Sequence, residues 1–99
     1  MHTHTVFFWL WKTTSPAQRA EFRKGLQHLL KDPNVRHATI GEPAKTDRDV
    51  VDNSYDFGVV AVFDSLEAHN AYQVGRHHDE FLQMCQGLWS RVQVYDLQH

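Results

Sequence analysis

Two short segments of this chain are apolar on both of their alternating faces, and no other feature restricts the fold as much. Thr5 to Trp11 is built of β-branched and aromatic residues and is too short for a helix, so it is expected as a strand. Val6, Phe8 and Leu10 alternate with Phe7, Trp9 and Trp11. Tyr55 to Phe63 repeats the pattern, with Tyr55, Phe57, Val59, Ala61 and Phe63 on one face and Gly58, Val60 and Val62 on the other. A strand with one wet face alternates apolar with polar residues. These two strands need cover on both sides.

Helices supply part of that cover. In Ser15-Pro16-Ala17-Gln18, Ser15 caps, Pro16 takes the first helical position where its missing N–H costs nothing, and Gln18 completes a capping box. Phe22, Leu26, Leu29 and Leu30 follow at helical spacing. Gly25 costs this helix about 1 kcal/mol relative to Ala, a cost that close approach to the sheet would explain. Asp32-Pro33-Asn34 breaks the helix, and Val35 to Gly41 reads as a weaker strand. Glu42 to Ser54 is polar and reads as a mobile surface loop. After Tyr55 to Phe63, Asp64-Ser65 caps a short helix from Leu66 to about Tyr72 or Val74, which Gly75 interrupts. A further helix carries His78, Phe81, Leu82, Cys85, Leu88 and Trp89 as one stripe. Arg91 to Leu97 closes the chain as a strand, Val92 and Val94 alternating with Gln93 and Tyr95.

The order β-α-β-β-α-β, with the second helix split, is the ferredoxin-like α+β arrangement, expected here as a single domain over residues 1–99. Two helices cover one face of a four-stranded sheet and leave the other bare. A bare face of Phe, Trp, Tyr and Val exceeds what monomers expose. The expected remedy is a homodimer, two sheets packed face to face over an interface on the order of 2,000 Å². Trp9 and Trp11 are expected in its core.

Composition narrows the partners. The formal charge is −2 and the Lys and Arg residues are scattered, so neither a nucleic-acid stripe nor a basic membrane patch is formed. The opening MHTHTVFFWLWK lacks the basic start and cleavage site of a signal peptide, and no segment approaches the roughly 20 apolar residues of a membrane span. Cys85 stands alone, which suits a reducing compartment; a cytoplasmic protein is expected. The eight histidines raise the question of metal. His2 and His4 share a strand face, and only one of the adjacent His77 and His78 can point inward. No HxxxH or Cys/His set stands at ligand spacing, so neither metal nor cofactor is expected. Cys85 lies in an apolar stripe where a thiol is inert, and Asp96 is expected to bond a neighbouring backbone group.

His4-Thr5-Val6-Phe7-Phe8-Trp9-Leu10, Val51-Asp52-Asn53-Ser54-Tyr55-Asp56-Phe57, Phe63-Asp64-Ser65, Tyr72 with His78 and Phe81, and the closing Val94-Tyr95-Asp96-Leu97 together resemble the stress-responsive dimeric A/B barrel (Dabb) family. The resemblance spans nearly the whole chain and implies a ferredoxin-like homodimer with a central barrel. One plant member, olivetolic acid cyclase, closes a linear polyketide by aldol chemistry. Its catalytic Tyr and His look like Tyr72 and His78, and its pocket would fall among Val6, Phe8, Phe22, Leu26, Phe81 and Trp89. Two positions depart from the family: Gly75-Arg76 stands where a His-Pro pair is frequent, and Leu26 lies nearest a further pocket aromatic of the cyclase. The resemblance therefore implies a homodimer that binds a small apolar or keto-bearing molecule under its helices, with no assigned reaction. The alternative is a cofactor-independent lyase or isomerase. In it His78 is the general base, Tyr72 holds the developing enolate and His4 orients one of them.

Overall fold

The computed structural model describes residues 1–99. The elements run β1 (His2–Leu10), α1 (Pro16–Leu29), β2 (His37–Gly41), β3 (Phe57–Phe63), α2 (Leu66–Gln73), α3 (Arg76–Cys85), a 3₁₀ turn at Gln86–Leu88, and β4 (Trp89–Gln98). The four strands form one antiparallel sheet in the order β2-β3-β1-β4. This is the ferredoxin-like α+β fold expected from the sequence.

Alternation places the core. His2, His4, Val6, Phe8 and Leu10 of β1 are buried on one face, as are Phe57, Val59, Ala61 and Phe63 of β3. They pack against Phe22, Leu26 and Leu29 of α1, Tyr72 of α2, and Phe81 and Cys85 of α3. On the opposite face Phe7 and Trp9 are half-buried, while Val60, Tyr95 and Leu97 are exposed. The three helices thus cover one side only. No helix is long and apolar enough to cross a membrane.

Local signals were obeyed where they were local. Ser15 Oγ accepts from the Gln18 N–H and the Gln18 side chain accepts from the Ser15 N–H, the expected capping box. Ser65 caps α2 through the Ala68 N–H. Corrections arise where tertiary contacts decide. β1 begins at His2 and ends at Leu10, so Trp11 lies past the strand and is 55% exposed rather than set in a face. Its neighbour Leu10 donates its N–H to Asp56 Oδ2, and the β1–β4 register shifts at Trp9/Leu10. Tyr55 stands outside β3 and crosses to the open side, its ring 4.8 Å from Phe7. Trp89 opens β4 instead of ending a helix, because the chain leaves α3 through the 3₁₀ turn.

Gly25 permits close approach to α3 and not to the sheet: a Cβ there would lie 2.3 Å from Cys85 Sγ. The segment between β2 and β3 is tied down by side chains. Asn53 bonds the Lys45 N–H and the Thr46 carbonyl, Ser54 accepts from the Trp9 indole, and Glu42 pairs with Arg19 and Arg23.

Candidate functional site

Tyr72 lies near the end of α2 and His78 in the first turn of α3. Gly75 is the N-cap of α3, and the bend is tight: a Cβ on Gly75 would sit 3.1 Å from the Ala71 carbonyl oxygen and from Asp32 Oδ2. The bend folds the two side chains together, their rings meeting edge-on with centroids 5.6 Å apart. The His4 ring stands 6.2 Å from that of Tyr72. Of the adjacent histidines, His78 faces Tyr72 while His77 faces Asp32, its Nδ1 3.8 Å from Oδ2.

Burial shapes the acid–base character of this trio. It lowers the pKa of the half-buried His78 below the ordinary imidazole value, against the pull of Asp79. Burial also raises the Tyr72 phenol well above its usual value. His4 is lowered by burial too, although its bond to Asp96 opposes the shift. At neutral pH the arrangement is a neutral imidazole beside a protonated phenol, the pair of forms that base and donor roles require.

The apolar residues expected to line a pocket are packed against one another. Phe8 lies 5.1 Å from Phe22 and 5.3 Å from Trp89, and Phe81 stacks on Trp89 at 5.7 Å. Val6, Leu26 and Phe22 are buried in the same cluster. A surface cleft of about 810 Å³ lies elsewhere, among Trp11, Lys12, Arg19, Asp56 and Ser90. The structure therefore brings Tyr72, His78 and His4 together and sets the apolar set behind them as core.

Sequence reasoning missed a second set of polar groups beside His4. Asp96 was expected to bond a backbone group; instead it stands directly across from His4 in the β1–β4 register. Its Oδ1 takes hydrogen bonds from His4 Nδ1 at 2.6 Å and His2 Nε2 at 3.2 Å. Burial would raise the Asp96 carboxyl, but the bonds from His4 and His2 carry it below its usual value, so it is ionised. His69 of α2 comes down on the pair, its Nε2 3.2 Å from His4 Nδ1. One donor atom from each of His2, His4, His69 and Asp96 lies within 4.8 Å of the others. A signal existed: once β1 and β4 are neighbours, His4 and Asp96 can meet, and His69 lies one helical turn before Tyr72.

The model of the Stress responsive A/B Barrel Domain family matches residues 3–99. Among solved structures, a dimeric ferredoxin-like protein of unknown function from Thermobifida fusca is 22% identical with a TM-score of 0.80, covering 99% of this chain and 90% of its own. A Dabb family protein with a ferredoxin-like fold from Mesorhizobium loti is 19% identical with a TM-score of 0.79, covering 99% and 95%. A hydroxynitrile lyase from Passiflora edulis is 17% identical with a TM-score of 0.78, covering 97% and 90%. No curated protein matches the sequence.

Proposed function

The chain belongs to the stress-responsive A/B barrel family, and from that premise we propose that it acts as a homodimer holding a small apolar or keto-bearing molecule beside Tyr72 and His78. The observation that carries this reading is the convergence of Tyr72, His78 and His4 at one end of an otherwise apolar core. Apolar walls with a few convergent polar groups are the usual make-up of a small-molecule site. Because Phe8, Phe22, Phe81 and Trp89 fill the space behind the trio, an incoming ligand displaces the half-buried Trp89 and replaces its contacts.

The homodimer rests on the uncovered sheet face, where Val60, Tyr95 and Leu97 are exposed around the half-buried Phe7 and Trp9. The dimeric state of the Thermobifida neighbour is consistent with it. Residues 1–99 act as one domain in this reading, and the free thiol of Cys85 suits the cytoplasm. Neither a cofactor nor nucleic acid has a part in it.

A second reading has its own support in the protonation states. Neutral His78 can remove a proton next to a carbonyl, and protonated Tyr72 can donate to the enolate oxygen as charge builds there. That chemistry belongs to a lyase or isomerase that works without a cofactor, and the Passiflora neighbour is itself a lyase.

Thermal shift with small aromatic and β-diketone ligands tests the first reading, since a ligand bound only by the folded state raises Tm in proportion to its occupancy. A raised Tm that disappears in Tyr72→Phe and His78→Ala supports the site; unchanged Tm across the whole set overturns it. Turnover of a β-diketone that falls about 10²-fold or more in His78→Ala supports the enzymatic reading. Binding with equal turnover in both proteins leaves a binding module only.

A further inference from the structure

We propose that His2, His4, His69 and Asp96 form a binding site for a divalent transition-metal ion of the zinc type. The donors come from two adjacent strands and one helix. His2 and His4 alternate down the buried face of β1, Asp96 stands opposite His4 on β4, and His69 reaches down from α2. His2, His4 and His69 are only 3%, 5% and 8% exposed. Asp96 has a side chain 40% exposed, and it opens the cluster to solvent along the edge strand β4.

All four donors lie within 4.8 Å of one another, and two of their separations already match a tetrahedral site. Metal–donor bonds of about 2.0–2.2 Å place neighbouring donors about 3.3 Å apart. Here His4 Nδ1 and His69 Nε2 are 3.2 Å apart, as are His2 Nε2 and Asp96 Oδ1. The 2.6 Å contact between His4 Nδ1 and Asp96 Oδ1 is a hydrogen bond that an ion replaces. His4 and His2 then carry their ring protons on the remote nitrogens, Nε2 and Nδ1, and no proton leaves the cluster. Three imidazoles with one carboxylate suit zinc, cobalt, nickel or copper, whereas calcium and magnesium take oxygen sets.

One further feature separates this cluster from an ordinary buried hydrogen-bond network. His69 Nδ1 lies 3.1 Å from Asn70 Oδ1, which accepts its proton and holds the Nε2 lone pair toward His4. Fixing the ligand tautomer through the remote nitrogen is how outer groups orient metal-binding histidines. Gln73 presents its amide to the same His69 Nε2 at 3.1 Å, a contact that the ion would supplant.

The test is a titration of the chelator-treated full chain with zinc chloride in competition with a chromophoric chelator. The cobalt form is read by its visible absorption. One zinc per chain, a raised Tm and the intense bands of tetrahedral cobalt are expected. Each of His2→Gln, His69→Gln and Asp96→Asn should weaken zinc by about tenfold or more, at least the effect of losing an outer-shell partner. His77→Gln, on the other side of α3, should not. Asp96→Asn is nearly isosteric and serves as the deciding variant if a histidine substitution fails to fold by circular dichroism. No saturable zinc binding, affinity retained in Asp96→Asn, or the weak bands of octahedral cobalt would each overturn the site. The β-diketone thermal shift is run without metal, so the ligand reading and the metal site stand or fall separately.

Discussion

At the scale of single residues, the most specific features are the ones that only packing reveals. Gly25 reads in the sequence as a helix weakness that approach to the sheet would explain; it is instead where α1 meets α3, with Cys85 Sγ occupying the place of its missing side chain. Gly25→Ala gains about 1 kcal/mol of helix propensity but forces overpacking that costs about 1–3 kcal/mol. A net loss of about 1 kcal/mol in urea unfolding is expected. Cys85→Ala in the same chain should recover most of it, and additivity of the two changes would contradict the contact. His78 offers a second measurement. Burial lowers its folded-state pKa beneath the unfolded value of about 6.5, so the unfolded chain binds the proton more readily. Stability held by neutral His78 is present above about pH 6.5 and declines as pH falls through that value toward the folded pKa. An NMR titration of the His78 ring with a midpoint at or above 6.5 would refute the burial argument. Tyr72 and His78 were legible because a family pattern carries them. His2, His69 and Asp96 were not, since a histidine at i+2 on a strand is unremarkable until a partner strand and a helix supply the other donors.

At the scale of elements, legibility follows how local the determining contacts are. The start of α1 is written in four consecutive residues, and the structure reproduces it bond for bond. Ser15→Ala removes the acceptor for the Gln18 N–H and should cost about 1 kcal/mol by chemical denaturation. Loss of well under half of that would mean that Gln18 and solvent satisfy the helix end unaided. By contrast, the end of α3 is decided at a distance. Leu88 and Trp89 continue a helical stripe in sequence, yet the chain turns through Gln86–Leu88 and Trp89 becomes the first residue of β4, stacked on Phe81. Periodicity alone cannot see this, since a residue packed on the same core after a turn keeps its apolar character. The same holds for Tyr55, whose alternation with Phe57 placed it on the helix side. Asp56 breaks the run there, bonding Arg19 and the Leu10 N–H, so β3 starts only at Phe57 and the Tyr55 ring is free to join Phe7 on the open face.

At the scale of the whole molecule, the doubly apolar strands are what the architecture answers to, and the structure satisfies one of their two sides. The register fixes the composition of the other: Thr5 lies between Val60 and Tyr95, and Phe7 between Gly58 and Gln93. Arg91 lies over the Trp9 ring at 4.2 Å, capping the apolar strip at the end where the chain turns toward α1. Aromatic and branched residues at the centre with an arginine at the margin match the usual distribution across a protein interface. Val60 sits on an interior strand in the middle of this strip, so it reports on pairing more cleanly than any edge residue. A carboxylate placed there would face solvent in a free chain at little cost, but in a pair it would be buried without a partner. Val60→Asp should therefore shift sedimentation from twice the chain mass to the chain mass at micromolar concentration, with far-ultraviolet circular dichroism unchanged. It should also abolish the rise of Tm with protein concentration that a folded dimer shows. If the unmodified chain already sediments as a single copy with its helix content intact, the open face is stable in water, and the pairing inferred from it is wrong.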